Sequence, residues 1–254
     1  MKVIFLNTWS ATVGDHLAAF IKEHRTDTDV FCFQEADGAM PALCQELLNE
    51  FSEITAHKFV TKDDDFYQAT YVKHGINLIS SGTISEDQAN TGLGLFVEIS
   101  KGPHNIYICN FHGMSRPVDK HDTPERFKQV QGLLDFCEQR TGPKIIGGDF
   151  NVFPSNESIQ RFQQAGYKDL IHEYNITNTR NHFVWDRYPE NAKQYFSDYA
   201  FVSHDVNVHT FSVPDIEISD HLPLILDVTL LSHIETKRSS SSSPKEYVMG
   251  SSSS

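Results

Sequence analysis

Short apolar runs, each closed by a polar residue, recur along this chain. Residues 2–6 (KVIFL) and 29–35 (DVFCFQE) are brief, strongly apolar and partly β-branched, which predicts buried strands. Between them, GDHLAAFIKEH sets Leu17, Phe20 and Ile21 on one helical face. A second helix is expected around MPALCQELLNEF, residues 40–51. From residue 53 to 111 the texture changes to strands divided by Gly- and Asp-rich turns: EITAHKFV, YQATYVK, INLISSG, GLGLFVEIS and NIYICNF. DTPERFKQVQGLLDFCEQ then opens a helix, with Thr123 as N-cap and Pro124 at the first helical position. KIIGGDFN reads as a strand running into a tight turn, and SNESIQRFQQAG as a capped helix ending at Gly166. SDYAFVS, VNVHTFSV and LPLILDVTL close the body as strands. Strands and helices mix without strict alternation. That predicts an α/β sandwich of two packed mixed sheets flanked by helices, not a barrel of βα repeats.

Composition narrows the picture. The chain has 254 residues, 39% of them hydrophobic, enough for a sizeable core. Its formal net charge is −13. Without the last 24 residues, 18 basic and 32 acidic residues leave a net of −14. Such a body does not attract polyanions by bulk charge, so a phosphate-bearing substrate requires a local device, of which a divalent cation is the obvious one. Cys32, Cys44, Cys109 and Cys137 form no C-x-x-C pair and are expected to be buried, reduced thiols. The N-terminus has too short an apolar run for a signal-peptide core and no stretch approaches a membrane span, so a cytoplasmic protein is expected. Residues 1–231 are taken as one catalytic domain. Residues 232–254 are taken as a Ser-rich disordered tail, part of it attributable to cloning.

The polar residues that end the apolar strands carry the chemistry. Asn7 follows VIFL, Glu35 follows VFCFQ, and His112 follows IYICNF. Asp149 and Asn151 follow KIIGG, Asp198 precedes YAFV, and Asp220–His221 precede LPLIL. One such residue is the ordinary edge of a core. Six strands doing so at once imply carboxylates gathered at one sheet edge, where their repulsion calls for a cation. Glu35, Asp220 and Asn7 offer only hard oxygen donors, which suits Mg²⁺ or Mn²⁺, and no Cys/His cluster has zinc spacing. Asp198 is available to orient an imidazole.

NTW at 7–9, QE at 34–35, NFHG at 110–113, GGDFN at 147–151, SDYAFVS at 197–203 and SDHLPL at 219–224 together resemble the endonuclease/exonuclease/phosphatase superfamily, the deoxyribonuclease-I-like fold. The resemblance covers about residues 1–230. It implies a four-layered sandwich with the site at one edge of the two sheets, and a metal-dependent attack of activated water on a phosphate ester. It implies Glu35 as main metal ligand with Asn7 and Asp220 beside it. Asp149 would orient or deprotonate the water, and Asn151 would be its partner on the phosphate. His221 would contact the scissile phosphate with Asp198 orienting it, and His112 would be the second site histidine of the nuclease and sphingomyelinase branches. The general base is left open between Asp149 and His221. A glutamate partner for His112 is implied in the nuclease branch. The corresponding stretch here, DDDFYQATYV, has none and leaves Gln68 and Asp65 as substitutes.

Substrate is less legible. Arg116, four residues past His112, and Arg180, Trp185 and Arg187 in a long segment before SDYAFVS are candidate substrate contacts. Lys120 and Arg126 read as ordinary charges at a helix start, and no basic stripe tracks a nucleic-acid backbone. A phosphodiesterase acting on nucleic acid is the first expectation. A phosphatase or phosphodiesterase for inositol phosphates, lipid headgroups or another small phosphoester is the alternative. A binder without hydrolysis comes third, because a pure binder needs no water-activating carboxylate.

Overall fold

The computed structural model describes residues 1–231 except 63, 102–103, 187–188 and 190–192. The Ser-rich tail and Arg187 therefore lie outside the described residues. Among the described residues the strands are β1 (Lys2–Asn7), β2 (Val30–Gln34), β3 (Phe51–Thr61), β4 (Asp64–Lys73), β5 (Asn77–Ile84), β6 (Leu93–Lys101), β7 (His104–His112), β8 (Lys144–Asp149), β9 (Lys168–Asp169), β10 (Asp198–Val202), β11 (Val206–Ser212) and β12 (Leu224–Leu230). They form two six-stranded sheets, ordered β11-β12-β1-β2-β4-β3 and β5-β6-β7-β8-β10-β9. Among the described residues β1–β2 and β7–β8 pair in parallel, and the other neighbours run antiparallel.

The apolar runs are continuous because their strands are covered on both faces. In β1 and β2, Val3, Phe5, Val30 and Cys32 belong to the core shared with the second sheet. Ile4, Leu6, Phe31 and Phe33 turn the other way, onto Leu17, Phe20 and Ile21 of α1 (Gly14–His24) and Met40, Cys44 and Leu47 of α2 (Met40–Leu47). The second sheet is covered by Val130 and Leu133 of α3 (Pro124–Glu138) and Ile159 and Phe162 of α4 (Glu157–Gln164). Each such aliphatic or aromatic side chain contributes about 1.5–3 kcal/mol by leaving water. The expected two-sheet sandwich with flanking helices is observed. All four cysteines are free and buried.

Boundaries differ in two instructive places. α2 stops at Leu47, and Phe51 begins β3, where its ring packs 5.6 Å from Phe31 on the outer face of the first sheet. Tertiary packing thus takes Phe51 out of the helix expected over residues 40–51. Asn156 precedes α4 at its N-cap without a side-chain cap bond, and its amide donates to the Lys120 carbonyl at 2.8 Å. At α3 the cap forms as expected, the Thr123 hydroxyl accepting from the Arg126 N–H at 3.2 Å. Among the described residues no helix is long and apolar enough to cross a membrane.

Candidate active site

Strand register builds the site before any side chain is considered. In the second sheet His112 of β7 lies opposite Asp149 of β8, and Asp149 lies opposite Asp198 of β10. Residues opposite one another share a sheet face, so these three form one row. In the first sheet Asn7 lies opposite Gln34, which puts Glu35 just beyond. The segment before β12 closes the gap. The Ser219 hydroxyl donates to the Asn7 carbonyl at 2.7 Å, and His221 pairs with Arg180 in an isolated antiparallel bridge. Two of these residues turn sharply off their strands: Glu35 and Asn151 have φ of +48° and +57°, left-handed values that cost of order 1 kcal/mol and gather at functional sites. Within the second sheet β7 and β8 leave no room for a side chain beside Asp149. A Cβ on Gly148, at φ +129°, would stand 2.1 Å from the Phe111 carbonyl oxygen.

Asp149 is the hub. Its Oδ1 accepts the Ser197 hydroxyl and the Asn151 backbone N–H at 2.9 Å. Its Oδ2 accepts the Asn7 amide at 3.1 Å and lies 3.7 Å from both His112 Nε2 and His221 Nε2. Burial alone would raise its pKa. The charges of His221, Lys120 and His112, with the Ser197 hydrogen bond, outweigh burial and hold it well below the usual carboxylate range. Asp198 accepts from His221 Nδ1 at 2.9 Å. Burial pushes the Asp198 carboxyl up despite that imidazole. For His221, burial pulls down, but Asp198 with Asp220 and Asp149 pulls up more strongly, and its pKa rises. Asp149 is therefore an anion, and its Oδ2 faces the His221 Nε2.

The fold, this row of residues and the sequence agree on one lineage. The profile of the Endonuclease/Exonuclease/phosphatase family matches residues 5–221. The chain belongs to the endonuclease/exonuclease/phosphatase family. Solved structures that share the fold include a protein of that family from Bacteroides thetaiotaomicron, at 18% identity over 90% of this chain and 97% of that one, with a TM-score of 0.72. A Bacteroides thetaiotaomicron mannosyl-6-phosphatase aligns at 16% identity over 91% of this chain and all of its own (100%), with a TM-score of 0.72. The human Nocturnin catalytic domain with bound sulfate aligns at 17% identity over 91% and 94%, with a TM-score of 0.66. Likeness at these identities is one of fold. No curated protein matches the chain in sequence. Membership in the endonuclease/exonuclease/phosphatase family makes the chain a phosphoester hydrolase.

Most of the family-implied residues come together. Asn7, His112, Asp149, Asn151, Asp198 and His221 are buried around one point, and the Asn7 amide also donates to Glu35 Oε1 at 3.0 Å. Glu35 and Asp149, carboxylates brought from the two sheets, thus converge on one amide nitrogen. That convergence of hard oxygens fits a hard divalent cation. Asp149, Asp198 and His221 also present ligand atoms within 4.8 Å of one another and could hold a metal. However, Asp198 and His221 are already bonded to each other, which favours the oxygen-rich side. Asp220 is drawn aside: its Oδ2 pairs with Arg180 at 2.9 Å, while its Oδ1 stays 3.9 Å from His221 Nε2.

The substrate contacts expected from sequence fare differently. Arg180 spends its guanidinium on Asp220, and Trp185, at the end of α5 (His182–Trp185), packs its ring 4.9 Å from Tyr195. Arg116 is exposed in the loop after His112. Neither suggested substitute partners His112. Asp65 accepts from His57 at 2.6 Å, Gln68 donates to the Asn110 carbonyl at 3.0 Å, and His112 Nδ1 is buried with no hydrogen-bond partner. The Phe66 ring packs nearly perpendicular to the imidazole instead, 4.9 Å between centroids.

Two site residues escaped the sequence reading. Lys120 is buried, and its Nζ donates to Asn151 Oδ1 at 2.9 Å and Ser197 Oγ at 2.7 Å. Burial, and then Arg180, pull its pKa down to about 7 against Asp149 and Asp198. Ser197, next to Asp198, links Lys120 to Asp149. Arg126, expected as a surface charge, is fully buried and donates to the carbonyls of His121 and Pro117. No local pattern marks them, because their burial depends on elements far apart in the chain.

Proposed function

We propose that residues 1–231 form a divalent-metal-dependent phosphoesterase whose substrate is a small phosphate ester. The observation that carries the reading is Asp149 Oδ2, held between two imidazole nitrogens at 3.7 Å while Oδ1 is saturated. A water accepted by Oδ2 would be aimed at a phosphorus lying between His112 and His221. A divalent cation such as Mg²⁺ or Mn²⁺ would be held by Glu35 and Asp149 with Asn7 and Asp220 beside them, and would supply Lewis-acid neutralisation of the phosphate charge. As the water oxygen bonds to phosphorus, its proton passes to Asp149. The ester P–O bond breaks, and the departing oxygen takes a proton from an imidazolium. His221, oriented through Nδ1 by Asp198, is the better placed donor. Asp149 is too acidic to strip water unaided and serves first to orient it, the transfer completing as the P–O bond forms.

The cleft supports a small substrate over nucleic acid. Its volume is about 240 Å³, and Glu35, Asp37, Asp64 and Asp65 line it together with Lys62 and His112. A polyanion would set its flanking phosphates against those carboxylates. Of the four candidate substrate contacts, Arg180 pairs with Asp220 and Trp185 packs on Tyr195. Four buried, reduced thiols are consistent with a cytoplasmic setting.

The test is a panel of p-nitrophenyl phosphate, a hexose phosphate, bis(p-nitrophenyl) phosphate and a single-stranded DNA oligonucleotide, each with Mg²⁺ or Mn²⁺. We expect kcat/KM for the best small ester to exceed that for the oligonucleotide by at least about tenfold. Preferred cleavage of the oligonucleotide would restore the nucleic-acid reading. No turnover of any member would remove the enzyme assignment.

A further inference from the structure

Lys120 stands in the loop between β7 and α3, outside every motif that carries the family resemblance, yet it is only 3% exposed. Burying an ammonium is unfavourable unless it is well compensated. Here its two hydrogen-bond partners are neutral: Asn151 Oδ1 and Ser197 Oγ. A serine oxygen that accepts from a cation turns its own proton away, and the Ser197 proton goes to Asp149 Oδ1. The Asn151 carboxamide is left one orientation, with its oxygen to the ammonium and its amide to the Gly113 carbonyl at 3.1 Å.

The backbone is arranged to hold that ammonium in place. Lys120 has φ +56°, a left-handed conformation rare for a residue with a side chain and found where function requires it. Its carbonyl accepts from the Phe153 N–H at 3.2 Å and the Asn156 amide at 2.8 Å. Arg126, fully buried, holds the carbonyls of Pro117 and His121 on either side.

We infer that Lys120 is a positioning residue of the hydrolytic site, acting through Ser197 and Asn151 to fix Asp149 with Oδ1 saturated and Oδ2 facing the substrate. This rests on the phosphoesterase reading above. A lysine that merely supported the loop would affect stability and leave turnover of the folded protein unchanged.

The experiment measures kcat, KM and Tm for wild type, Lys120→Met, Lys120→Arg, Ser197→Ala and the Lys120→Met/Ser197→Ala pair, with p-nitrophenyl phosphate and Mg²⁺ or Mn²⁺ at one pH. Lys120→Met should lower kcat by about 10- to 100-fold, the usual effect of removing a supporting partner of a catalytic group, with KM changed far less. Ser197→Ala should fall in the same range. The pair should be little worse than the poorer single variant, because both act through one chain of bonds. Lys120→Arg, which keeps a cation, should recover part of kcat. Wild-type kcat in Lys120→Met, or losses that multiply in the pair, would overturn the inference. If Lys120→Met does not fold, wild-type kcat in Ser197→Ala overturns it equally. A wild-type chain without phosphoesterase activity would remove the underlying reading, whereas an active wild type with unaffected variants would remove this inference alone.

Discussion

At the residue scale the site turns on the asymmetry of one carboxylate. Asp149 Oδ1 is used up by Ser197 and the Asn151 N–H, while Oδ2 faces two imidazoles. Asp149→Asn keeps the shape and removes the acceptor charge. Turnover should fall by about two to four orders of magnitude, as general-base losses do. Wild-type rates in this variant would remove Asp149 from the mechanism. The same residue predicts a pH dependence of stability. Burial opposes its ionisation, but His221, Lys120 and His112 depress its pKa overall. Its contribution is therefore present above about pH 4, its ordinary titration range, and is lost as pH falls toward the lower folded value. In metal-free protein the Tm advantage of wild type over Asp149→Asn should be widest near neutrality and shrink in acid. An advantage that grows in acid would contradict the depressed pKa.

Elements bring the catalytic row together, and they tolerate little separation. β7, β8 and β10 align His112, Asp149 and Asp198 by register alone. One residue of slip would send Asp149 to the opposite face. Gly148 precedes Asp149 at φ +129°, with Gln34 Nε2 3.0 Å and the Phe111 oxygen 2.1 Å from where a Cβ would stand. Gly148→Ala should therefore cost about 3 kcal/mol through backbone strain and strand displacement. For a domain of this size that corresponds to a drop in Tm of about 6–12 °C. Thermal melting that matches wild type would show that β7 and β8 can part without penalty.

For the whole molecule, charge and metal belong to one argument. A body with a net charge of −13 for the chain concentrates Glu35 and Asp149 where two sheets meet. The Asn7 amide and the neighbouring cations offset only part of that repulsion. A divalent cation should stabilise the fold as well as the reaction. At a hundred times its dissociation constant, a ligand bound only by the native state adds about 2.7 kcal/mol. We expect a chelator to abolish turnover, Mg²⁺ or Mn²⁺ to restore it, and the same ions to raise Tm in wild type but not in Glu35→Gln. Full activity in excess chelator would exclude metal assistance.

The sequence by itself determined the elements and the residue types of the site. Continuous apolar runs marked strands buried on both faces. Their polar ends marked Asn7, Glu35, His112, Asp149, Asp198 and His221, because a strand that leaves a core must change character within one residue. Only the tertiary structure decided which of these groups touch. It assigned Arg180 to Asp220, left His112 Nδ1 without a partner from Asp65 or Gln68, and moved Phe51 from helix to strand. It also drew Lys120 and Arg126 from an apparently solvated helix start into the interior. The physical reason is range. Periodicity reports burial along one element, whereas the burial of Lys120 is set by Asn151 and Ser197, 31 and 77 residues away in the chain.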